Sequence, residues 1–297
     1  MAIVVSIINL KGGVAKTTTT IQLAECLTSQ FSKKVLVIDL DPQTNATIAL
    51  IKEEKWKELD EQGQTLFNLF NDKLNKTNNF KIEKAIQKNV SNLNINNLDL
   101  LPSSIRFIDI QDKLYDIPEK TGYSLNPMEV LKGSIHPYLD QYDYILIDCP
   151  PNLGFITRNG IEISDFYLIP TIPDFLSNYG IPQIIDRIKQ FKDERPHLKI
   201  KSLGLVITKY DSRSQIHIRV RETLPARFEK IFRDRNLIPS KIFKTIIPQA
   251  NATAEAMEFE NPVVSFRQKY GKSESGGHYL YEYIIDLTKE FMENARK

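Results

Sequence analysis

Ile3-Val4-Val5-Ser6-Ile7-Ile8-Asn9-Leu10-Lys11-Gly12-Gly13-Val14-Ala15-Lys16-Thr17-Thr18 is a β-branched apolar run, a glycine pair, and then the start of a helical pattern. A strand that passes through glycine into a helix is the local context of a phosphate-binding turn. Glycine lets successive backbone N–H groups face inward around phosphate oxygens, and the helix N-terminus adds partial positive charge. In such a turn Lys16 reaches the β- and γ-phosphates of a nucleotide, and the Thr17 hydroxyl binds Mg²⁺.

Working outward from this stretch, short apolar runs alternate with longer segments of helical period, the signature of a parallel sheet with crossover helices. Strands are expected at Ile3–Ile8, Lys34–Ile38, Leu98–Leu101, Tyr144–Ile147, Phe166–Ile169, Leu203–Thr208 and Ile242–Ile246. Several are apolar on both faces, as strands covered from both sides must be. Helices are expected over Lys16–Gln30, Ser177–Lys192, Gln215–Asp234 and Gly277–Asn294, with Pro225 interrupting or kinking the third. The stretch from Lys52 to Val90 is less regular and rich in Lys, Glu and Asn. With no repeat and no Pro- or Gly-rich linker, the 297 residues read as one α/β domain built on a single doubly wound, mostly parallel sheet.

Hydrophobic content of 41% and charged content of 26% are ordinary for a globular protein. No apolar run approaches the roughly 18–20 residues that span a bilayer. The start reads as a buried strand rather than a signal peptide, so a cytoplasmic protein is expected. Cys26 and Cys149 are too few for a disulfide framework or a four-ligand metal site. The net charge of +2 is small, but ten Lys or Arg face four acids between Lys209 and Lys244. A basic face confined to one region is what a protein that grips a phosphate backbone needs, and also what a solvated helix looks like.

The ordinary loop G-x-x-x-x-G-K-[ST] would place glycine at 10 and 15, where this chain has Leu10 and Ala15. The stretch instead resembles K-G-G-x-x-K-[ST], the deviant Walker A form of the ParA and MinD superfamily. The resemblance implies a P-loop ATPase in which Lys11, Gly12, Gly13, Val14, Ala15, Lys16, Thr17 and Thr18 hold ATP. It also implies that Lys11 reaches across a homodimer to the partner's phosphates. Asp39-Leu40-Asp41-Pro42-Gln43 is similar to the family's D-x-D-P-Q motif, which implies that Asp41 activates the attacking water and Asp39 supports the Mg²⁺ shell. Tyr144-Ile145-Leu146-Ile147-Asp148 resembles a Walker B strand, with Asp148 as the Mg²⁺ acid. Family counterparts extend from residue 3 to about 50 and from 98 to about 264, leaving 51–97 divergent.

By the same resemblance Pro248 borders the adenine, and Arg213 matches a position used for non-specific DNA binding. After Pro248 many relatives carry DNA-contacting arginines, whereas this chain reads Gln249-Ala250-Asn251-Ala252-Thr253-Ala254-Glu255. Arg219, Arg221, Arg227, Arg233 and Arg235 are the expected substitutes, since phosphate neutralisation depends on clustering rather than identity. The implied function is cargo positioning on the nucleoid by an ATP-dependent homodimer that binds non-specific double-stranded DNA. A ParB-like or adaptor activator would trigger hydrolysis. Three other readings share the loop, one of them a metabolic ligase, for which nothing here resembles a second substrate site. A membrane-bound MinD-like ATPase would need a C-terminal amphipathic helix with a basic polar face, and the acids within Tyr279–Met292 argue against one. An iron–sulfur reductase would need cysteines facing a cluster shared between subunits.

Overall fold

The β-branched runs form a seven-stranded sheet: β1 (Ile3–Ile7), β2 (Val35–Asp39), β3 (Leu98–Leu101), β4 (Tyr144–Asp148), β5 (Phe166–Thr171), β6 (Lys201–Tyr210) and β7 (Ile242–Pro248). The computed structural model describes residues 1–93, 95–175, 177–259, 263–271 and 279–296. The strand order is β3-β2-β4-β1-β5-β6-β7, and every neighbouring pair is parallel. Strands β3, β2, β4 and β1 are buried along almost their whole length, because helices cover both faces of the sheet. One core lies on the side of Ile38, Ile145 and Ile147, and the other on the side of Val37, Leu146 and the helix Lys16–Phe31.

The chain leaves β1 toward β2 and later returns to place β4 between them. This reversal opens a crevice at the carboxyl ends of the strands, the usual ligand position in such sheets. Gly204 marks a second tight place, on β6. With φ 149° it lies against β7, where a Cβ would come within 2.7 Å of the Lys241 carbonyl oxygen.

The helices Lys16–Phe31, Ser177–Glu194 and Gln215–Arg233 match their expected spans closely. The third runs through Pro225 without interruption, its apolar side filled by Val220, Leu224, Phe228 and Phe232. The last helix is Leu280–Asn294, and the expected start at Gly277 lies outside the described residues. The divergent stretch is more ordered than its composition implies. It holds helices Glu53–Glu61 and Leu66–Asn75, the second burying Leu66, Phe67, Leu69, Phe70 and Leu74. That apolar spacing is helical, and the surrounding Lys and Asn residues obscure it.

Two anchors hold the phosphate-loop helix. Leu280, Ile284, Leu287 and Phe291 of the last helix join the same core as its Ile21, Leu23, Ala24 and Leu27. Inside that contact Glu25, fully buried, pairs with Lys269 at 2.7 Å and accepts from the Tyr270 hydroxyl at 2.8 Å. Burying one charge without its partner is strongly unfavourable. Glu25→Ala should therefore lower the unfolding free energy by about 3–5 kcal/mol in urea titration, while Glu25→Leu with Lys269→Met should recover most of that loss. Equal losses in the single and paired variants would show that the charges are not balanced against each other.

Candidate active site

Parallel register assembles the site. Ile7 at the end of β1 pairs with Asp148 of β4, and Asp148 pairs with Asp39 of β2. Residues far apart in the chain thus end in one row beneath the loop that follows β1. The loop turns through Gly13 (φ 75°) and Ala15 (φ 65°), the latter an unusual left-handed alanine at the helix N-cap. Where the ordinary motif would have glycine, the turn is held by its surroundings. Asn9 donates Nδ2–H to the Pro170 carbonyl at 2.7 Å and accepts from the Lys11 amide at 2.9 Å. Thr208 donates its hydroxyl hydrogen toward the Val14 carbonyl at 3.1 Å.

Above the loop lies a cavity of about 440 Å³ lined by Gly12, Gly13, Ala15, Lys16, Thr17 and Thr18, with Asp41 on the facing side. A Cβ at Gly12 or Gly13 would meet nothing within 4 Å, so this part of the loop faces open space. Lys16 is buried, with Nζ–H donating to the Lys11 carbonyl at 3.2 Å. Burial lowers its pKa, and the charges of Asp148 and Asp41 oppose that shift. The Thr17 hydroxyl donates to Asp148 Oδ2 at 2.6 Å, bringing together a hydroxyl and a carboxylate at the mouth of the loop. This oxygen-donor pair beside a phosphate-sized space fits Mg²⁺, which takes few protein ligands and shares the rest with phosphates and water.

Asp39 accepts from the Thr47 amide at 2.8 Å, the Thr47 hydroxyl at 2.7 Å and the Asp41 amide at 3.0 Å. Its direct effect is to set the turn from Asp41 into the short helix Asn45–Leu50, and Ser103 locks that turn by donating to the Asp41 carbonyl at 2.8 Å. Asp41 is left on the cavity wall, with Oδ1 accepting from the Gln43 amide at 2.9 Å. The acids at the ends of β2 and β4 are fully buried neighbours. Burial pushes Asp39 up to about 7, and burial together with the Asp39 charge holds Asp148 well above the ordinary carboxylate range.

The residues placed together are therefore Gly12, Gly13, Ala15, Lys16, Thr17, Thr18 and Asp41 around the cavity, with Asp148 and Asp39 beneath them. Val14 is fully buried under the loop. Lys11 does not line the cavity of its own chain, because its Nζ forms an ion pair with Asp174 after β5. Pro248 lines a neighbouring hollow of about 870 Å³ with Tyr210, Arg213 and Arg221, whereas Lys209 and Met257 reach the nucleotide-sized cavity. Lys209, with φ 50°, was not legible as a cavity residue from its apolar strand context. Asn9 and Asp174 were equally hidden, since the bond from Asn9 to Pro170 and the pair of Asp174 with Lys11 each join segments distant in sequence.

The basic residues separate into distinct environments. Arg219, Arg227 and Arg233 are exposed along the Gln215–Arg233 helix with Lys230, and no acid pairs with them among the described residues. Arg221 sits over the Tyr210 ring at 5.5 Å, and Arg213 pairs with Asp211 at 3.0 Å. Arg235 is bound to Asp186 by a second contact of 2.7 Å. Elsewhere, Glu129, Glu162 and His197 come close enough for a metal, yet Arg195 bridges the two carboxylates and Lys132 adds a second cation at 3.0 Å from Glu162. That cluster is a charge network. Both cysteines are fully buried, Cys26 with its thiol pushed up to about 12 and Cys149 shifted upward by burial, so neither faces a surface where subunits could share a cluster. Leu280, Ile284, Leu287 and Phe291 of the last helix are buried in the core. Among the described residues no helix is long and apolar enough to cross a membrane.

A parallel sheet with this loop after β1, a threonine hydroxyl on the β4 acid and a second lysine on the loop defines a P-loop NTPase of the deviant, two-lysine class. Residues 2–200 match a family model described as an AAA domain. The chain is 29% identical to the sporulation initiation inhibitor protein Soj of Bacillus subtilis, over 99% of this chain and 100% of that protein. It is 29% identical to the chromosome partitioning protein ParA of Myxococcus xanthus, over 92% of this chain and 84% of that one. A plasmid partition protein of Borrelia burgdorferi, solved bound to AMPPNP, shares the fold with a TM-score of 0.68 at 23% identity, over 99% of both chains. The chain belongs to the ParA/MinD family of P-loop ATPases.

The raised acid gives the metal-free protein a distinctive pH response. A carboxyl whose folded pKa lies above its unfolded value stabilises the fold at low pH and loses that contribution as pH rises through the folded pKa. The contribution of Asp39 to stability without Mg²⁺ or nucleotide should thus fall between pH 3.8 and about 7. Asp39→Asn should flatten that slope in unfolding titrations made with a chelator. An unchanged slope in the variant would refute the assignment.

Proposed function

We propose that this chain is a positioning or partition ATPase in which ATP, held with Mg²⁺ in the loop cavity, drives formation of a homodimer. The observation that carries the reading is the division of the two loop lysines. Lys16 is buried against its own cavity, whereas Lys11 leaves that cavity and lies at the surface edge of the site. A cation that the chain's own nucleotide does not use is available to a second subunit's phosphates. It then ties association to nucleotide state in the manner of an arginine finger.

In this scheme the backbone amides of Gly12 to Thr18 hold the phosphates, and Lys16 neutralises charge at the β–γ bridge. Mg²⁺ supplies Lewis-acid stabilisation of the phosphate oxygens when bound. Thr17 and Asp148 would hold it, with Asp39 fixing the adjacent loop. Asp41, on the cavity wall, would orient and deprotonate water beside the γ-phosphate. Lys209 and Met257 offer the wall for the base. Pro248 pairs with Tyr210, the neighbour of Lys209, and so would support that wall from the next row.

Double-stranded DNA is the proposed track, and Arg219, Arg227, Lys230 and Arg233 are its best-exposed candidates, with Arg213 and Arg221 at the adjacent hollow. Arg235 is better suited to holding its helix, through Asp186. The dimer would sit on the nucleoid until a ParB-like or adaptor activator stimulates hydrolysis.

Retention of non-specific duplex DNA at low salt tests the scheme. Binding should require ATP, persist longer in Asp41→Ala, and weaken steeply with salt. The combined Arg219→Ala, Arg227→Ala and Arg233→Ala changes should lower the salt slope by about one for each phosphate no longer neutralised. ATP-driven dimers with no DNA affinity would keep the ATPase reading and reject the track.

A further inference from the structure

Lys11 is the residue that a nucleotide-dependent dimer would depend on, yet in the isolated chain its ammonium is already engaged. Asp174, four residues beyond Pro170 at the end of β5, holds it in an ion pair that is partly shielded: the two side chains are 34% and 29% exposed. The pair is set by structure on both sides. Asn9 fixes the loop to the Pro170 carbonyl and also accepts the Lys11 amide, so the start of the loop and the end of β5 are held together. The Asp174 amide in turn donates to the Ile172 carbonyl at 2.8 Å, which fixes the turn that presents the carboxylate. Next to this pair, Phe175 and Tyr179 pack edge to face at 5.0 Å while remaining 61% and 60% exposed. Paired exposed rings beside a charged group make a surface of the kind another chain covers.

We propose that Asp174 is a positioning residue for Lys11: the in-chain counter-ion that occupies the ammonium until a second copy of this chain brings its triphosphate to the same place. The inference rests on the dimer reading above. Lys11 can interact with the partner's phosphates only by leaving Asp174, so the carboxylate competes with ATP and sets how much nucleotide is needed for dimerisation. A triphosphate carries several negative charges against one, which makes the exchange favourable once the second subunit has bound nucleotide. Without that second nucleotide the lysine stays on Asp174. The Phe175–Tyr179 rings then lie where the incoming subunit would bury them.

The test is a titration of the full chain with AMPPNP and Mg²⁺, read as the fraction of dimer by sedimentation velocity. Asp174→Asn should lower the nucleotide concentration for half-maximal dimer by about two- to fivefold, the range for an exposed ion pair. Asp174→Glu should return the midpoint to the wild-type value, and the unfolding midpoint without nucleotide should be the same in all three proteins. Asp174→Ser provides a second neutral variant with the same expectation as Asp174→Asn. A wild type that dimerises while both neutral variants leave the midpoint unmoved, or raise it, overturns the counter-ion role alone. A wild type that remains monomeric at saturating AMPPNP overturns the dimer reading and this role with it.

Discussion

The site depends on one constraint: parallel pairing holds the carboxyl ends of β1, β4 and β2 in a common row. Ile7, Asp148 and Asp39 are brought level by backbone hydrogen bonds rather than by their own side chains. A slip of one residue in either pairing would turn each aspartate to the opposite face of the sheet, because side chains alternate along a strand. The apolar faces prevent such a slip. Val37, Ile38, Leu146 and Ile147 are fully buried on alternating sides, so a shift in register would also exchange the two cores.

On that frame the charges are arranged by how far each is from water. Asp148 and Asp39 lie deepest and are costly to ionise together. Lys16 and hydrogen bonds from Thr17 and Thr47 offset part of the cost. A divalent cation would relieve more of it. Asp41 lies nearer the cavity, and Lys11 nearest the solvent. This gradient separates the groups that share a few loop residues: the deep ones set the loop's shape, while the outer ones face whatever approaches.

The same helix that opens the phosphate loop is clasped at its other side by Glu25, Lys269 and the final helix. The phosphate-loop helix and the carboxyl-terminal segment therefore belong to one packed unit. The basic surface lies elsewhere, on the Gln215–Arg233 helix, which packs through Leu224, Phe228 and Phe232 against Ile181, Ile185 and Leu205. Its apolar side belongs to that smaller core, and its cations are free to face outward.

The sequence by itself determined the strand–glycine–helix loop, all seven strands and the long helices, because each is local: β-branched runs, helical spacing and glycine act over a few residues. It also determined that Asp39 and Asp148 end buried strands, with Asp41 just beyond the first of them. What only tertiary structure decided is where the side chains point once those strands pair. Asp39 became a brace for Thr47, Lys11 was drawn to Asp174, Arg235 to Asp186, and Pro248 went to a separate hollow. Helix Leu66–Asn75 was similarly obscured, since its apolar stripe gains meaning only against the core that it covers. Each of these outcomes depends on a partner outside the residue's own strand or helix, or on burial, and neither is encoded in a local pattern. Periodicity reports what a segment can bury, whereas the register of distant strands decides which charge meets which.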